Sequence, residues 1–392
     1  MKNNLIFVIG VARSGSTLLA RIINAHSSVS AFIDSCETIY KAVRTKVASA
    51  MDSDVALESP FCDPYFSPDR RKLSEGIQNC DLKKIDISAY QKAILQEMSE
   101  SSAQYSPAHV DASSLDGSKT GYDYLKGLQD YFRKENNTGL VYKDNYIIEF
   151  IWPLKRAFPD AKFLFPVRDP RALVASRMGG AEKFGAKSMH LMSALRSWRK
   201  HLAFSFAAEK SFPGDVLVVP YESLTLAPGE WIARMCSFLD LPYEETMLGK
   251  AGFGPGKTSA WQNNSSFSGN SPGIFTDSVE RWRHTLSEDI LKAVEYLCCH
   301  EMDLFHYKRE FVTSLPVSDT EAGTYLQHDV KEKEFSWRCD QYPYDEEIRL
   351  EQNRHRLILG KNMNREEILF NLLTLETAEK LQVTTMETPH VQ

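Results

Sequence analysis

The sequence predicts an α/β protein: a P-loop-like parallel sheet flanked by helices, with a helical insertion and a helical C-terminal extension. Three observations carry that expectation. Residues 5–10 (LIFVIG) are an unbroken apolar run with β-branched members, the pattern of a strand buried on both faces. A short glycine-bounded loop follows, and then Leu18, Leu19, Ile22 and Ile23 at helical spacing. Further apolar runs alternate with helical stripes, the rhythm of strand–helix–strand units in a parallel sheet.

Taken in order, a second strand is expected at 139–143, a helix at 147–157 and a third strand at 162–167 (KFLFPV). Leu191, Leu195, Trp198, Leu202 and Phe206 mark one face of a long helix, residues 215–219 (DVLVV) a fourth strand, and Trp231, Met235 and Phe238 another helix. Two stretches break the rhythm. Residues 49–138 are mixed, Ser-rich and polar with helical pieces, and read as an insertion over the sheet edge. Residues 250–275 are rich in Gly, Ser and Asn and read as a long loop. Beyond 307 the composition turns charged and helical; Asn364 and Glu367 have capping-box spacing ahead of an Ile368, Leu369, Leu372, Leu373 stripe. The expected division is one domain over 1–307, with 49–138 on its acceptor side, and a helical extension over 308–392.

Composition excludes several classes. A chain of 392 residues with 43% hydrophobic and 25% charged residues is ordinary globular protein, neither disordered nor fibrous. Its net charge of −6 argues against a nucleic-acid coat or a polybasic membrane binder. The opening apolar run is far too short for a membrane span or a secretory core, so a soluble, unexported, cytoplasmic protein is expected. Seven scattered cysteines with no C-x-x-C pair fit reduced thiols. His and Cys show no metal-ligand spacing, and no metal is expected.

The chemistry concentrates at two places. Gly10-Val-Ala-Arg13-Ser14-Gly15-Ser16-Thr17 lies between the first strand and its helix, where free backbone N–H groups and the helix dipole favour an anion. The ATPase form of this loop needs Lys after the second glycine; here that position is Ser16, and the cation is Arg13 inside the loop. The bland alternative is a glycine turn with a surface arginine. The second place is Arg168-Asp-Pro-Arg-Ala-Leu-Val-Ala-Ser176, directly after the third strand, at the carboxyl end where open α/β sheets bind ligands. Arg168 and Ser176 can grip a second phosphate by charged fork and hydroxyl. The alternative there is a capping Asp169 with a solvent-exposed arginine pair.

On these motifs the chain resembles the sulfotransferases that use 3′-phosphoadenosine 5′-phosphosulfate (PAPS), in order over roughly residues 5–307. Arg13 to Leu19 is similar to their 5′-phosphosulfate loop, and Val167 to Ser176 to their 3′-phosphate motif. Tyr221-Glu222 and the stretch from Thr276 to Arg283 resemble further landmarks. The resemblance implies the sulfotransferase fold, PAPS as co-substrate with 3′,5′-ADP as product, and no metal. It implies that Arg13, Ser14, Gly15, Ser16 and Thr17 hold the 5′ end, Arg168 and Ser176 the 3′-phosphate, and Ser278 with Arg281 or Arg283 a closing segment. The 250–275 loop lacks the basic triplet of hormone-type members, so Lys257 or a later arginine is expected in its stead.

In-line sulfuryl transfer asks for charge stabilisation on the leaving phosphate oxygen and a base for the acceptor. Arg13 and the loop amides supply the first, with Lys143, which resembles the family's lysine at this point; a Lys143–Asp144 ion pair is its plain alternative. No histidine lies between Lys143 and Arg168. Ser35-Cys-Glu37-Thr is similar to the glutamate-base arrangement of protein-tyrosine, carbohydrate and bacterial members, so Glu37 is the expected base if burial raises its pKa. The alternative is a Glu37 that only opens a helix and favours its dipole. His26 reads as a helix cap, with His190 and His109 as lesser candidates. The expected function is sulfuryl transfer to a hydroxyl, or an amine, of a small-molecule acceptor such as a specialised metabolite or carbohydrate, with no nucleic-acid or membrane partner and no feature that specifies a homo-oligomer. Asp111, Asp116, Asp123 and Glu149 are available to a cationic acceptor or simply solvated. A degenerate P-loop kinase and a non-catalytic nucleotide-binding scaffold are the competing classes.

Overall fold

The computed structural model describes residues 4–53, 57, 68–104, 110–134, 138–145, 147–184, 191–249, 274–315, 318–326 and 344–385. Lys257 and nearly all of the 250–275 loop, together with His109 and His190, lie outside the described residues. The chain forms two compact units: 1–61, 72–167 and 212–276 in the first, 62–71, 168–211 and 277–392 in the second.

The first unit holds a five-stranded sheet of β1 (Asn4–Gly10), β2 (Val29–Ile33), β3 (Gly139–Asn145), β4 (Lys162–Val167) and β5 (Val216–Pro220). The order is β2-β3-β1-β4-β5 and every pairing is parallel, as expected of strands alternating with helices. Four of these strands are anticipated by the apolar pattern. The edge strand β2 is not: its five residues, VSAFI, are short and carry a serine. Register aligns the carboxyl ends, with Gly10 beside Asn145 and Ile33 beside Lys143.

The helices are α1 (Ser16–Asn24), α2 (Glu37–Ala50), α3 (Pro68–Asn79), α4 (Gln91–Gln104), α5 (Gly121–Lys134), α6 (Ile151–Ala157), α7 (Pro170–Phe184) and α8 (Leu191–Ser211). They continue with α9 (Tyr221–Leu226), α10 (Pro228–Phe238), α11 (Trp282–Thr285), α12 (Glu288–Leu304), α13 (Asp319–Leu326), α14 (Tyr344–Gly360), α15 (Arg365–Asn371) and α16 (Leu375–Lys380). The insertion is helical, supplying α3 to α5, and so is the extension. The helix read at 147–157 begins as a tighter 3-10 turn over Ile148–Phe150.

Alternation along β1 loads both faces of the sheet. Ile6 and Val8 pack with Val141, Leu164 and the α1 residues Leu19, Ile22 and Ile23 in one cluster. Phe7 points the other way, stacked between Tyr142 and Phe163 at centroid distances of 5.3 and 5.4 Å. All are buried. Truncating Phe7 to Ala would cost about 3–5 kcal/mol, because both neighbouring rings would face a void.

In the second unit, α8, α12 and α14 carry charge into the interior. Glu351 accepts from Arg196 Nε and from both terminal nitrogens of Arg199, each at 2.8 Å, and Arg196 also pairs with Glu347 at 3.0 Å. Burial raises the Glu351 pKa, but the two guanidiniums outweigh it and hold the carboxylate well below its usual range. The capping box is formed: Glu367 N donates to Asn364 Oδ1 at 2.9 Å, and Asn364 N to Glu367 Oε2 at 2.8 Å. The expected stripe extends past its helix, since α15 ends at Asn371 and Leu373 has a left-handed φ of 72°.

Candidate functional site

Between β1 and α1 the loop turns through two left-handed residues, Arg13 (φ 75°) and Gly15 (φ 96°). Such a turn gathers backbone N–H groups into an anion-sized concavity. Gly15 is the N-cap of α1 and makes no side-chain cap bond; a helix start of this kind presents its N–H groups and positive dipole end to an anion. The glycines are there for space as well as conformation. A Cβ on Gly15 would lie 2.3 Å from Tyr221 Cδ2, and one on Gly10 would lie 2.5 Å from Ser14 Oγ. Ser14 is 1% exposed, and its hydroxyl has no hydrogen-bond partner among the described residues. Ser16 Oγ donates to Asn145 Oδ1 at 3.2 Å, tying the loop to the end of β3. Arg13, Ser14, Gly15, Ser16 and Thr17 thus stand together at the sheet's carboxyl edge.

Beside them lies a cluster of carboxylates around one lysine. Lys143, the fifth residue of β3, is buried, and its Nζ lies 2.6 and 2.8 Å from the two Asp34 oxygens. Asp34 follows β2 with φ 51°, and its N–H donates to the Lys143 carbonyl at 2.8 Å. The lysine's ion pair is therefore with Asp34 and not with the adjacent Asp144, whose side chain leaves the strand on the other face. Asp144 is 1% exposed, and neither carboxylate oxygen has a hydrogen-bond partner among the described residues. Burial, with Asp34 and Glu97 nearby, pushes its pKa well up.

Glu37 opens α2 and pairs with Lys41 at 2.6 Å, its side chain 47% exposed. Burial pushes the carboxyl of Glu97 on α4 up to about 7, with Glu37 contributing. Glu97 Oε2 accepts from Thr38 N at 2.9 Å, in the first turn of α2. Asp34, Glu97 and Asp144 have no place in the motif reading. Asp34 and Asp144 adjoin motif residues in sequence, but Glu97 sits in the unpatterned insertion, and only the fold carries it to α2.

His26 is not a helix cap. It lies beyond α1, buried, with Nε2 3.1 Å from the Pro242 carbonyl and Nδ1 accepting from Ser28 N at 3.2 Å. Asp111 and Asp123 are local caps: Asp111 accepts from Ser113 N at 3.0 Å and Asp123 from Thr120 N at 2.9 Å. Asp116 is exposed and Glu149 is buried.

The second unit carries the other motif. Arg168 and Ser176 are buried, and Arg168 Nη2 donates to the Ser278 carbonyl at 2.7 Å, joining two residues that the motifs nominate separately. Trp198 Nε1 holds the Arg168 carbonyl at 3.0 Å. The arginine pair is not solvent-exposed. Arg171 is buried, bound to Asp169 at 2.7 Å and Glu295 at 2.8 Å, with its guanidinium 4.0 Å over the Trp282 ring. Arg283 lies over the same ring at 4.4 Å and pairs with Glu310 at 2.5 Å. Arg281 is the N-cap of α11.

A profile of the sulfotransferase family matches residues 5–245. Protein-tyrosine sulfotransferase 1 of Danio rerio is 32% identical over 122 residues, 29% of this chain and 34% of that protein. Protein-tyrosine sulfotransferase of Drosophila melanogaster is 32% identical over 108 residues, 26% of this chain and 20% of that one. Against two putative protein-tyrosine sulfotransferases, of Caenorhabditis elegans (33% identical) and Caenorhabditis briggsae (27% identical), the chain spans only 42% and 56% of the relative's own length. The sulfotransferase domain from the curacin biosynthetic pathway superposes with a TM-score of 0.43 at 18% identity, over 72% of this chain and 92% of that one. No helix among the described residues is long and apolar enough to cross a membrane.

Proposed function

This chain belongs to the sulfotransferase family, and from that premise we propose that it moves the sulfuryl group of PAPS to a hydroxyl of a small-molecule acceptor. The observation that carries the reading is the loop of residues 10–17. It combines left-handed turns at Arg13 and Gly15 with a buried Ser14 hydroxyl that has no protein partner among the described residues. A donor set of backbone amides, hydroxyls and one guanidinium fits a phosphosulfate, and the lack of a lysine after Gly15 disfavours an ATP-type loop.

When bound, PAPS supplies the activated sulfuryl group and a phosphate leaving group. Arg13, Ser14, Gly15, Ser16 and Thr17 bind and orient the 5′ end. Arg13 and Lys143 stabilise charge on the departing oxygen. Arg168 and Ser176, with Ser278 and Arg281 or Arg283, are assigned to the 3′-phosphate on their motifs. Glu37 accepts the acceptor's proton at its carboxylate, and its neighbour Glu97 sets the charge beside it. The catalytic domain is assigned to 1–307, with 49–138 supplying the acceptor side and 308–392 an extension.

A second acceptor, the phenol of a tyrosine in a polypeptide, is favoured by the relatives at 32% identity that are named protein-tyrosine sulfotransferases. Calorimetric titration without magnesium tests the cofactor: 3′,5′-ADP should bind and ATP should not. Binding of ATP alone, or of neither, overturns the reading. Labelled PAPS offered with a tyrosine peptide and with a panel of small alcohols then separates the two acceptors.

A further inference from the structure

The scatter of His and Cys along the sequence offers no metal-ligand spacing, yet the second unit gathers three of them. Cys299 and His300 are neighbours on α12, and His355 lies on α14. Cys299 Sγ is 3.6 Å from His355 Nδ1, and His300 Nε2 is 2.9 Å from the same nitrogen. All three ligand atoms fall within 4.8 Å of one another. Cys299 is fully buried and His355 is 4% exposed.

The spacing can be set against metal geometry. Tetrahedral zinc, with Zn–N near 2.05 Å and Zn–S near 2.3 Å, holds its ligands about 3.3 Å apart for N···N and about 3.6 Å for S···N. The Cys299–His355 S···N distance already matches, the His300–His355 N···N distance needs about 0.4 Å of opening, and the Cys299–His300 pair lies within 4.8 Å. Donor chemistry agrees: one thiolate and two imidazoles suit a borderline-soft d10 cation better than magnesium or calcium.

Two neutral imidazoles meeting at 2.9 Å share a single proton between Nε2 and Nδ1. The other His355 nitrogen, Nε2, is buried with no hydrogen-bond partner among the described residues. When a cation binds, the proton shared by the two rings moves to the other nitrogen of its own ring, so that both facing lone pairs, on His300 Nε2 and His355 Nδ1, are free for the metal. At Cys299 the bound cation displaces the thiol proton: the S–H bond breaks, an S–metal bond forms, and one H⁺ is released to solvent.

Arginine charge surrounds the cluster, and each source is matched. Arg199 is paired with Glu351, Arg354 with Glu301 and Arg309 with Asp303. The Tyr296 ring packs on His355 at a centroid distance of 4.2 Å and covers one side.

We propose that Cys299 Sγ, His300 Nε2 and His355 Nδ1 bind one zinc-class cation, with water in the fourth position, as a structural clamp between α12 and α14. The test uses the full chain, stripped with a chelator and titrated with cobalt(II) and then zinc(II). One equivalent of cobalt should bind with an intense thiolate-to-metal absorption, zinc should displace it, and zinc should raise the melting temperature. Cys299→Ser should abolish the thiolate band, and His355→Gln and His300→Gln should each weaken zinc binding by more than about 100-fold. His300 lies nearest the rim, so His300→Gln is the variant for which folding is least at risk. The proposal is overturned if cobalt does not bind, if it binds without the thiolate band, or if the band survives in Cys299→Ser.

Discussion

Lys143 Nζ lies 2.6 and 2.8 Å from the two carboxylate oxygens of Asp34, so the lysine proposed to stabilise the leaving oxygen is held by a chelating carboxylate at the end of the neighbouring strand. That grip fixes the ammonium in place at a cost to its freedom to approach an anion. If Lys143 stabilises the leaving oxygen, Lys143→Ala should lower kcat by about 100- to 1,000-fold. Binding of 3′,5′-ADP, followed by calorimetry, should weaken far less, since the loop of residues 10–17 remains.

Gly15→Ala should abolish nucleotide binding while leaving the sheet folded. The new methyl would meet Tyr221 at 2.3 Å, and φ 96° is unfavourable for an L-residue by about 1–2 kcal/mol. Adding Tyr221→Ala removes the collision but not the conformational cost, so binding should recover only in part. Arg13→Ala should lose binding with no such rescue. Titration of the three variants with 3′,5′-ADP gives the answer.

Glu37→Gln should bind 3′,5′-ADP as the parent does and lose transfer, because an amide cannot accept the acceptor's proton. Single-turnover assays with PAPS and the acceptor decide it. Normal turnover would remove Glu37 as the base and turn attention to Glu97, which accepts from Thr38 N at 2.9 Å in the same helix turn.

Glu97 gives a pH signature in stability. Its carboxyl is raised from 4.5 to about 7 in the folded protein, so the folded state holds the proton more tightly than the unfolded chain. Its favourable contribution is complete below pH 4.5 and is lost as pH rises through about 7. Urea midpoints across that range should therefore decline with rising pH, and Glu97→Gln should flatten the decline.

Glu351 has the opposite sign. Its pKa is held below the ordinary 4.5, so its contribution is present above that value and is lost as pH falls further. Glu351→Ala at neutral pH should cost about 3–5 kcal/mol in denaturant unfolding, because Arg199 stays buried with its charge uncompensated. Arg196 would keep Glu347 at 3.0 Å, so the loss should fall mainly on Arg199.

Those parts of the fold that rest on local pattern are legible in the sequence. LIFVIG and KFLFPV become strands because apolar runs have nowhere to go but a two-sided core, and Asn364 with Glu367 closes its box because both partners lie within one turn. The glycine loop is legible for the same reason. What escapes is whatever depends on distant residues meeting. Strand β2 is defined by pairing with β3 more than by its own composition. Asp34 is an unremarked aspartate until Lys143 arrives beside it, and Glu97 an unremarked glutamate until α4 docks on α2. The three ligand atoms of Cys299, His300 and His355 bridge some 55 positions of chain. The charged composition beyond 307 likewise gives no sign that Glu347, Glu351 and Arg354 of α14 turn inward.

The position of β1 in the middle of the sheet has a consequence for biosynthesis. Its hydrogen-bonding neighbours are residues 139–145 on one side and 162–164 on the other. During translation the apolar segment LIFVIG therefore emerges before either partner strand and waits, unpaired on both edges, while the whole helical insertion is made. Parallel pairing over such separations is slow, and an exposed β-prone segment invites aggregation meanwhile. Production of this protein should accordingly gain from slower synthesis and from chaperones that shield nascent apolar segments, and a fragment ending before residue 139 should be insoluble.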